Sequence, residues 1–161
     1  MSENVHVDVN NRKTSTFLGT DNHVLLGSGQ TDGLAGVVEI AIQPGAGAPP
    51  HTNTREALLW YGIEGAMALE TEGGRTVLTA GDAMFLPKGH THGFTNPSDR
   101  PARALLVCFP GGFEEFLLEL SGKLPAGVPA GPPAPDAFEA LATTAAKYDV
   151  IVQPPASEEK R

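Results

Sequence analysis

Two histidines, His51 and His92, sit where an imidazole could do chemistry. His92 belongs to the series Gly81, Pro87, Gly89, His92 and Asn96, and the text GDAMFLPKGHTHGFTN around it reads as strand, tight turn and returning strand. Such a turn would bring the imidazole of the returning strand into a barrel. His51 opens HTNTREALLWYGIEG, with Asn53 two residues on, on the same face of an extended chain. An imidazole either ligates a metal ion or moves a proton. A catalytic divalent ion needs at least three protein ligands, ordinarily imidazole nitrogen or carboxylate oxygen, and two imidazoles with a neutral amide fall short. Burial would keep a metal-free imidazole neutral and able to accept a proton near neutral pH. Asn53 could then donate a hydrogen bond to a developing enolate oxygen. Base and donor in a dry apolar pocket suffice for enolisation, aldol-type cyclisation or elimination.

Short strands are the elements that would position these groups. Between Phe17 and Phe109 apolar runs alternate with turn residues: HVLLG, GVVEIAI, ALLWYGI, AMALE, RTVLT, AMFLP, HGFTN and ARALLVCF. Eight short strands at this spacing predict a sandwich or barrel. The pieces between them, including QPGAGAPP, read as connectors. Residues 1–16 read as a flexible polar arm. After Pro110 the pattern turns helical: Phe113, Phe116, Leu117 and Leu120 share one face, with Gly122 as the stop. A proline-rich connector leads to a second helix capped by Asp136, and residues 156–161 read as a frayed tail. The two helices are expected to pack on the barrel wall, with a cover over its mouth as the alternative.

The 161 residues suit one domain with a real core. A net charge of −8 argues against nucleic acid, and no apolar run suits a bilayer. The polar N-terminus has no signal core, so the expected location is the cytoplasm. Cys108, the one cysteine, cannot form an internal disulfide, and in ALLVCF it reads as a buried, inert thiol.

Residues 45–65 and 81–96 resemble the two halves of the cupin motif. In the first half Gly45, His51 and Gly65 match, whereas Asn53 stands at the second histidine and Leu58 at the glutamate. The second half matches at Gly81, Pro87, Gly89, His92 and Asn96. The longer text resembles single-domain, quercetinase-like cupins. The resemblance implies an all-β fold, a small double-stranded β-helix or jelly-roll-like barrel over 17–110, with a C-terminal helical extension over 111–155. It also implies a homodimer. In such cupins three histidines and a glutamate hold one divalent ion. Here His51 and His92 alone are retained, Glu56 is an uncertain substitute for the glutamate, and His90 could add an imidazole but falls beside Gly89 in the turn.

The catalytic set expected from this reading is His51, His92 and Asn53, with no metal. A divalent ion at His51 and His92 is the lesser alternative. Strand parity turns Leu58 and Trp60 inward, and with Met67, Met84, Phe85, His90 and Phe94 they are expected to form an apolar, aromatic-lined substrate pocket. The expected function is a non-redox cyclisation, isomerisation or elimination of an apolar, polyketide-like or aromatic metabolite, with the pocket acting as template. The alternatives are a metal-dependent dioxygenase and a non-catalytic binding protein for a small hydrophobic ligand.

Overall fold

The computed structural model describes residues 3–155; the tail expected over 156–161 lies outside the described residues. Among them, eleven strands form two antiparallel sheets. In chain order they are β1 (Lys13–Phe17), β2 (Thr20–Leu26), β3 (Gly36–Ile42), β4 (Gly47–Asn53), β5 (Ala57–Glu64) and β6 (Met67–Thr71). Then come β7 (Gly74–Leu78), β8 (Ala83–Leu86), β9 (Thr91–Thr95), β10 (Ala102–Phe109) and, near the end, β11 (Val150–Val152). Between β10 and β11 lie two helices, α1 (Phe113–Glu119) and α2 (Pro135–Ala146). One sheet runs β1-β2-β3-β10-β5-β8 and the other β11-β4-β9-β6-β7. No helix among the described residues is long and apolar enough to cross a membrane.

Alternation of apolar and polar residues sets the interior. In β3, Val38, Ile40 and Ile42 are buried, and their register partners in β10, Leu106, Ala104 and Ala102, are buried too. In β5 the same alternation buries Leu58 and Trp60 and leaves Tyr61 exposed. The turn between β8 and β9 needs the left-handed backbone at Gly89 (φ 84°), a conformation that glycine adopts without strain.

Three strands depart from the expected pattern. The polar arm is shorter than expected, because Lys13–Phe17 forms edge strand β1, paired with β2 from Lys13↔Val24 to Phe17↔Thr20. GAPPHTN is strand β4, not a connector. Its prolines fall in an irregularity between Ala48 and His51, where the ladder to β9 needs no amide hydrogen from them. β11 adds an edge to β4, pairing Val152 with His51 and Val150 with Asn53.

The helices form where their apolar periodicity lies, but α2 begins at Pro135 with Ala134 as its cap residue. Asp136 lies inside the first turn, so the expected Asp136 cap does not hold; proline at the first helical position loses only a hydrogen that the helix leaves unpaired. Nor does α1 lie on an outer wall. Phe113, Phe116, Leu117 and Leu120 line the interior cavity together with strand residues, so α1 encloses it. Apolar periodicity identified the buried face of the helix, and the cavity lined by the strands is the apolar surface it covers.

Candidate active site

β4 and β9 carry the histidine pair. His51 and His92 are register partners across the two strands, with ring centroids 4.4 Å apart and planes at 57°. Next to them Thr52 and Thr91 share a 2.7 Å hydroxyl hydrogen bond that holds the register. Close approach here depends on Gly47, where a Cβ would stand 2.0 Å from the carbonyl oxygen of Phe94.

Each imidazole has one nitrogen committed to the backbone. His51 Nδ1 lies 2.9 Å from the Pro49 carbonyl, and His92 Nδ1 lies 3.2 Å from that of His90. A carbonyl only accepts, so each neutral ring carries its proton on Nδ1 and keeps a lone pair on Nε2. Burial first, and then the neighbouring His92, drive the His51 pKa down to about 4, against the opposing pull of the Pro49 carbonyl. Burial also lowers that of His92. Both rings are therefore neutral near pH 7.

Around them lies a partly enclosed apolar cavity of about 60 Å³. His51, His92, Leu58, Trp60 and Phe94 line it. Trp60 and Phe94 pack with ring centroids 5.2 Å apart, and Phe113 of α1 lies parallel to the His51 ring at 6.4 Å. The lining contains no lysine, arginine, aspartate or glutamate.

Other expected site residues lie elsewhere. Asn53 is buried but outside the lining; its Nδ2 points to Glu56 Oε2 at 3.5 Å, a long contact, and the loop after β4 holds that carboxylate there. Met67 is buried in the core, and Met84 packs against the core from edge strand β8; neither reaches the cavity. Phe85 is 58% exposed, because its register partner is Leu59, one residue out of phase with inward-facing Leu58 and Trp60. His90 is exposed in the turn and contributes only its carbonyl, to His92. Asn96 fastens the loop after β9: its Nδ2 donates to the carbonyls of Ile42 and Arg100, and its Oδ1 accepts from Ser98.

Sequence reasoning missed Thr20 and Asn22, which line the cavity from β2. Asn22 Nδ2 contacts the Ser15 carbonyl and Thr20 Oγ1, each at 3.4 Å, and Thr20 Oγ1 donates to the Phe17 carbonyl. The period-two pattern of TDNHVLL carries the signal, three residues ahead of the apolar run HVLLG.

A divalent ion does not fit these residues. Leu58, 1% exposed, fills the wall where a carboxylate would be needed, and Asn53 is engaged with Glu56. Among the described residues no group of three or more His, Cys, Asp or Glu side chains could hold a metal ion. Glu56 is itself tied to Arg55 at 3.1 Å, and burial raises its pKa. Cys108 is buried and free, and burial, Glu114 and Glu56 push its thiol pKa well up, consistent with an inert group.

This barrel, with its site between two sheets, is that of the cupins, and the chain belongs to the cupin superfamily. The cupin domain family matches residues 38–108. No curated protein matches the chain by sequence. Among solved structures, the polyketide cyclase RemF from Streptomyces resistomycificus is 23% identical with a TM-score of 0.58, covering 66% of this chain and 80% of its own. A sugar phosphate isomerase from Silicibacter pomeroyi DSS-3 is 22% identical with a TM-score of 0.58, covering 65% and 75%. A nucleoside dehydratase described as a β-barrel is 18% identical with a TM-score of 0.58, covering 70% and 88%. At these identities the likeness extends to the fold.

Proposed function

We propose that this cupin is a metal-independent enzyme that cyclises, isomerises or eliminates an apolar aromatic or polyketide-like metabolite by general acid/base catalysis. The observation that carries the reading is the neutral histidine pair, each Nδ1 fixed on a carbonyl, inside an apolar cavity. An Nε2 lone pair takes a proton from a carbon or oxygen acid, and the same imidazolium returns it elsewhere on the substrate. The low pKa of His51 makes its imidazolium a strong acid, suited to the returning step. The aromatic walls orient the substrate and exclude water. A lining without lysine or arginine favours a neutral substrate over an oxalate or a sugar phosphate. A homodimer belongs to the same proposal: Tyr61 and Phe85 are exposed on the outer face of the six-stranded sheet, where a second copy would bury them.

Proton abstraction from an enolisable aryl ketone tests the reading. Propiophenone in D2O, followed by NMR, is expected to exchange its α-protons faster with the protein, with or without a chelator. His92→Ala is expected to slow the catalysed exchange by about 10²-fold or more. Exchange abolished by the chelator, or unchanged in His92→Ala and His51→Ala, would overturn it.

A further inference from the structure

Two buried ring nitrogens on the cavity-lining residues have no hydrogen-bond partner among the described residues: Trp60 Nε1 and His92 Nε2. Both residues are 2% exposed. The other unpartnered buried side-chain atoms, on Arg12, Ser15 and Asn53, belong to residues outside the lining. The two nitrogens are complementary. An indole N–H only donates, and His92 Nε2 only accepts, because its Nδ1–H is committed to the His90 carbonyl. A donor and an acceptor left unmatched in an apolar chamber cost free energy, which a ligand carrying the opposite pair would recover.

We infer that the substrate is a neutral, planar phenolic or enolic ketone. Its carbonyl oxygen accepts from Trp60 Nε1 and its hydroxyl donates to His92 Nε2. Phe94 against Trp60 supplies an aromatic wall, and the absence of charged side chains from the lining excludes an ionic counterpart. This assignment rests on the acid/base reading of the histidine pair, since the hydroxyl it places on Nε2 is the proton to be moved. When the O–H bond breaks, the proton and Nε2 form the new N–H bond. The electron pair stays on the substrate and spreads through the conjugated system to the carbonyl oxygen, where Trp60 Nε1–H meets the developing charge. Both nitrogens lie beneath the cavity surface, out of water's reach, so a ligand reaches them as the chamber widens.

Calorimetric titration with 4′-hydroxyacetophenone, acetophenone and 4-ethylphenol tests the pair. The bifunctional probe is expected to bind about tenfold more tightly than either control, one satisfied group per control being lost. Trp60→Phe should erase its advantage over 4-ethylphenol, and His92→Phe its advantage over acetophenone. Trp60 is the chain's one tryptophan, so its fluorescence gives a second readout on the unaltered protein. Equal affinity for all three probes, or no binding of 4′-hydroxyacetophenone, would overturn the assignment whatever the variants do. Loss of this preference with His92-dependent propiophenone exchange intact removes the substrate class alone. A preserved preference without exchange removes the base chemistry instead.

Discussion

His51 on β4 and His92 on β9 face each other across an antiparallel ladder, 4.4 Å between ring centroids, each with Nδ1 on the carbonyl two residues before it in sequence. The repeated local bond fixes the same tautomer twice. Two imidazoles this close cannot both be charged in an apolar chamber without a large penalty, so protonating one disfavours protonating the other. The pair is thus disposed to hold a single proton.

Acid should destabilise the fold through His51. Its pKa falls from 6.5 in the unfolded chain to about 4 in the folded one. As pH drops through this window the unfolded state gains a proton that the folded state refuses, so stability is lost, by about 3 kcal/mol. Below pH 4 this contribution stops changing. Buried Glu56, whose pKa is raised, works in the opposite direction, losing its contribution as pH rises. Urea midpoints at pH 7, 5 and 4 should therefore be compared between the wild type and His51→Gln. The variant is expected to lose most of the slope; equal slopes would count against a neutral His51.

Leu58 should be the residue that separates this wall from a metal-binding one. Leu58→Glu alone places an unpaired carboxylate at a position 1% exposed, at an expected cost of about 3 kcal/mol or more. Combined with Asn53→His it supplies two further donors beside His51 and His92. The double variant should bind one Co²⁺, giving a visible absorption band, and its Tm should rise with added ion. Equal Co²⁺ uptake by the unaltered protein would show that the native donors already suffice.

Legibility followed the strength of each local signal. GVVEIAI and ARALLVCF alternate without interruption and became β3 and β10 with the expected bounds. The second half of the motif fixed His92 because its turn glycines and Pro87 leave few arrangements for the returning strand. β4 was hidden by Pro49 and Pro50, since a strand that tolerates prolines must bend at that point, and the bend depends on the partner strand. β1 was hidden by its polarity: KTSTF is an edge strand with only alternate residues buried. Phe85 was misplaced because parity within AMFL leaves both faces open until the register with β5 is known. The place of α1 was not in its pattern at all. A helical stripe states which face is apolar, not which surface it covers.

Glu114 should hold the entry to α1. It is fully buried, and its two carboxylate oxygens accept from the backbone N–H groups of Ser28 and Gly112. Glu114→Ala would strand both donors, at an expected cost of about 2 kcal/mol or more. Glu114→Gln, with one accepting oxygen, should cost less. Thermal melts ordering the three proteins otherwise would show that the two backbone bonds are not what the side chain contributes.

Substrate entry should require α1 to move. The cavity offers about 60 Å³ to water-sized molecules, against roughly 300–1,000 Å³ in pockets that take drug-sized ligands. At the C-terminal end of α1, Glu119 accepts from Lys123, just beyond the helix, and from Lys147 and Tyr148, which tie the helix to the chain after α2. These partners, Lys147 first, hold its pKa down at about 2, while Glu119 pushes that of Tyr148 up to about 12. Such an exposed cluster is a weak restraint that opens without unfolding the barrel. Glu119→Gln keeps the shape and removes the charge. Acrylamide quenching of Trp60 should increase in this variant while the Tm changes little, because the strand core is untouched. Quenching that stays at the wild-type level would place the route to the cavity elsewhere, and quenching that rises only in step with a large fall in Tm would show that the cluster supports the fold as a whole.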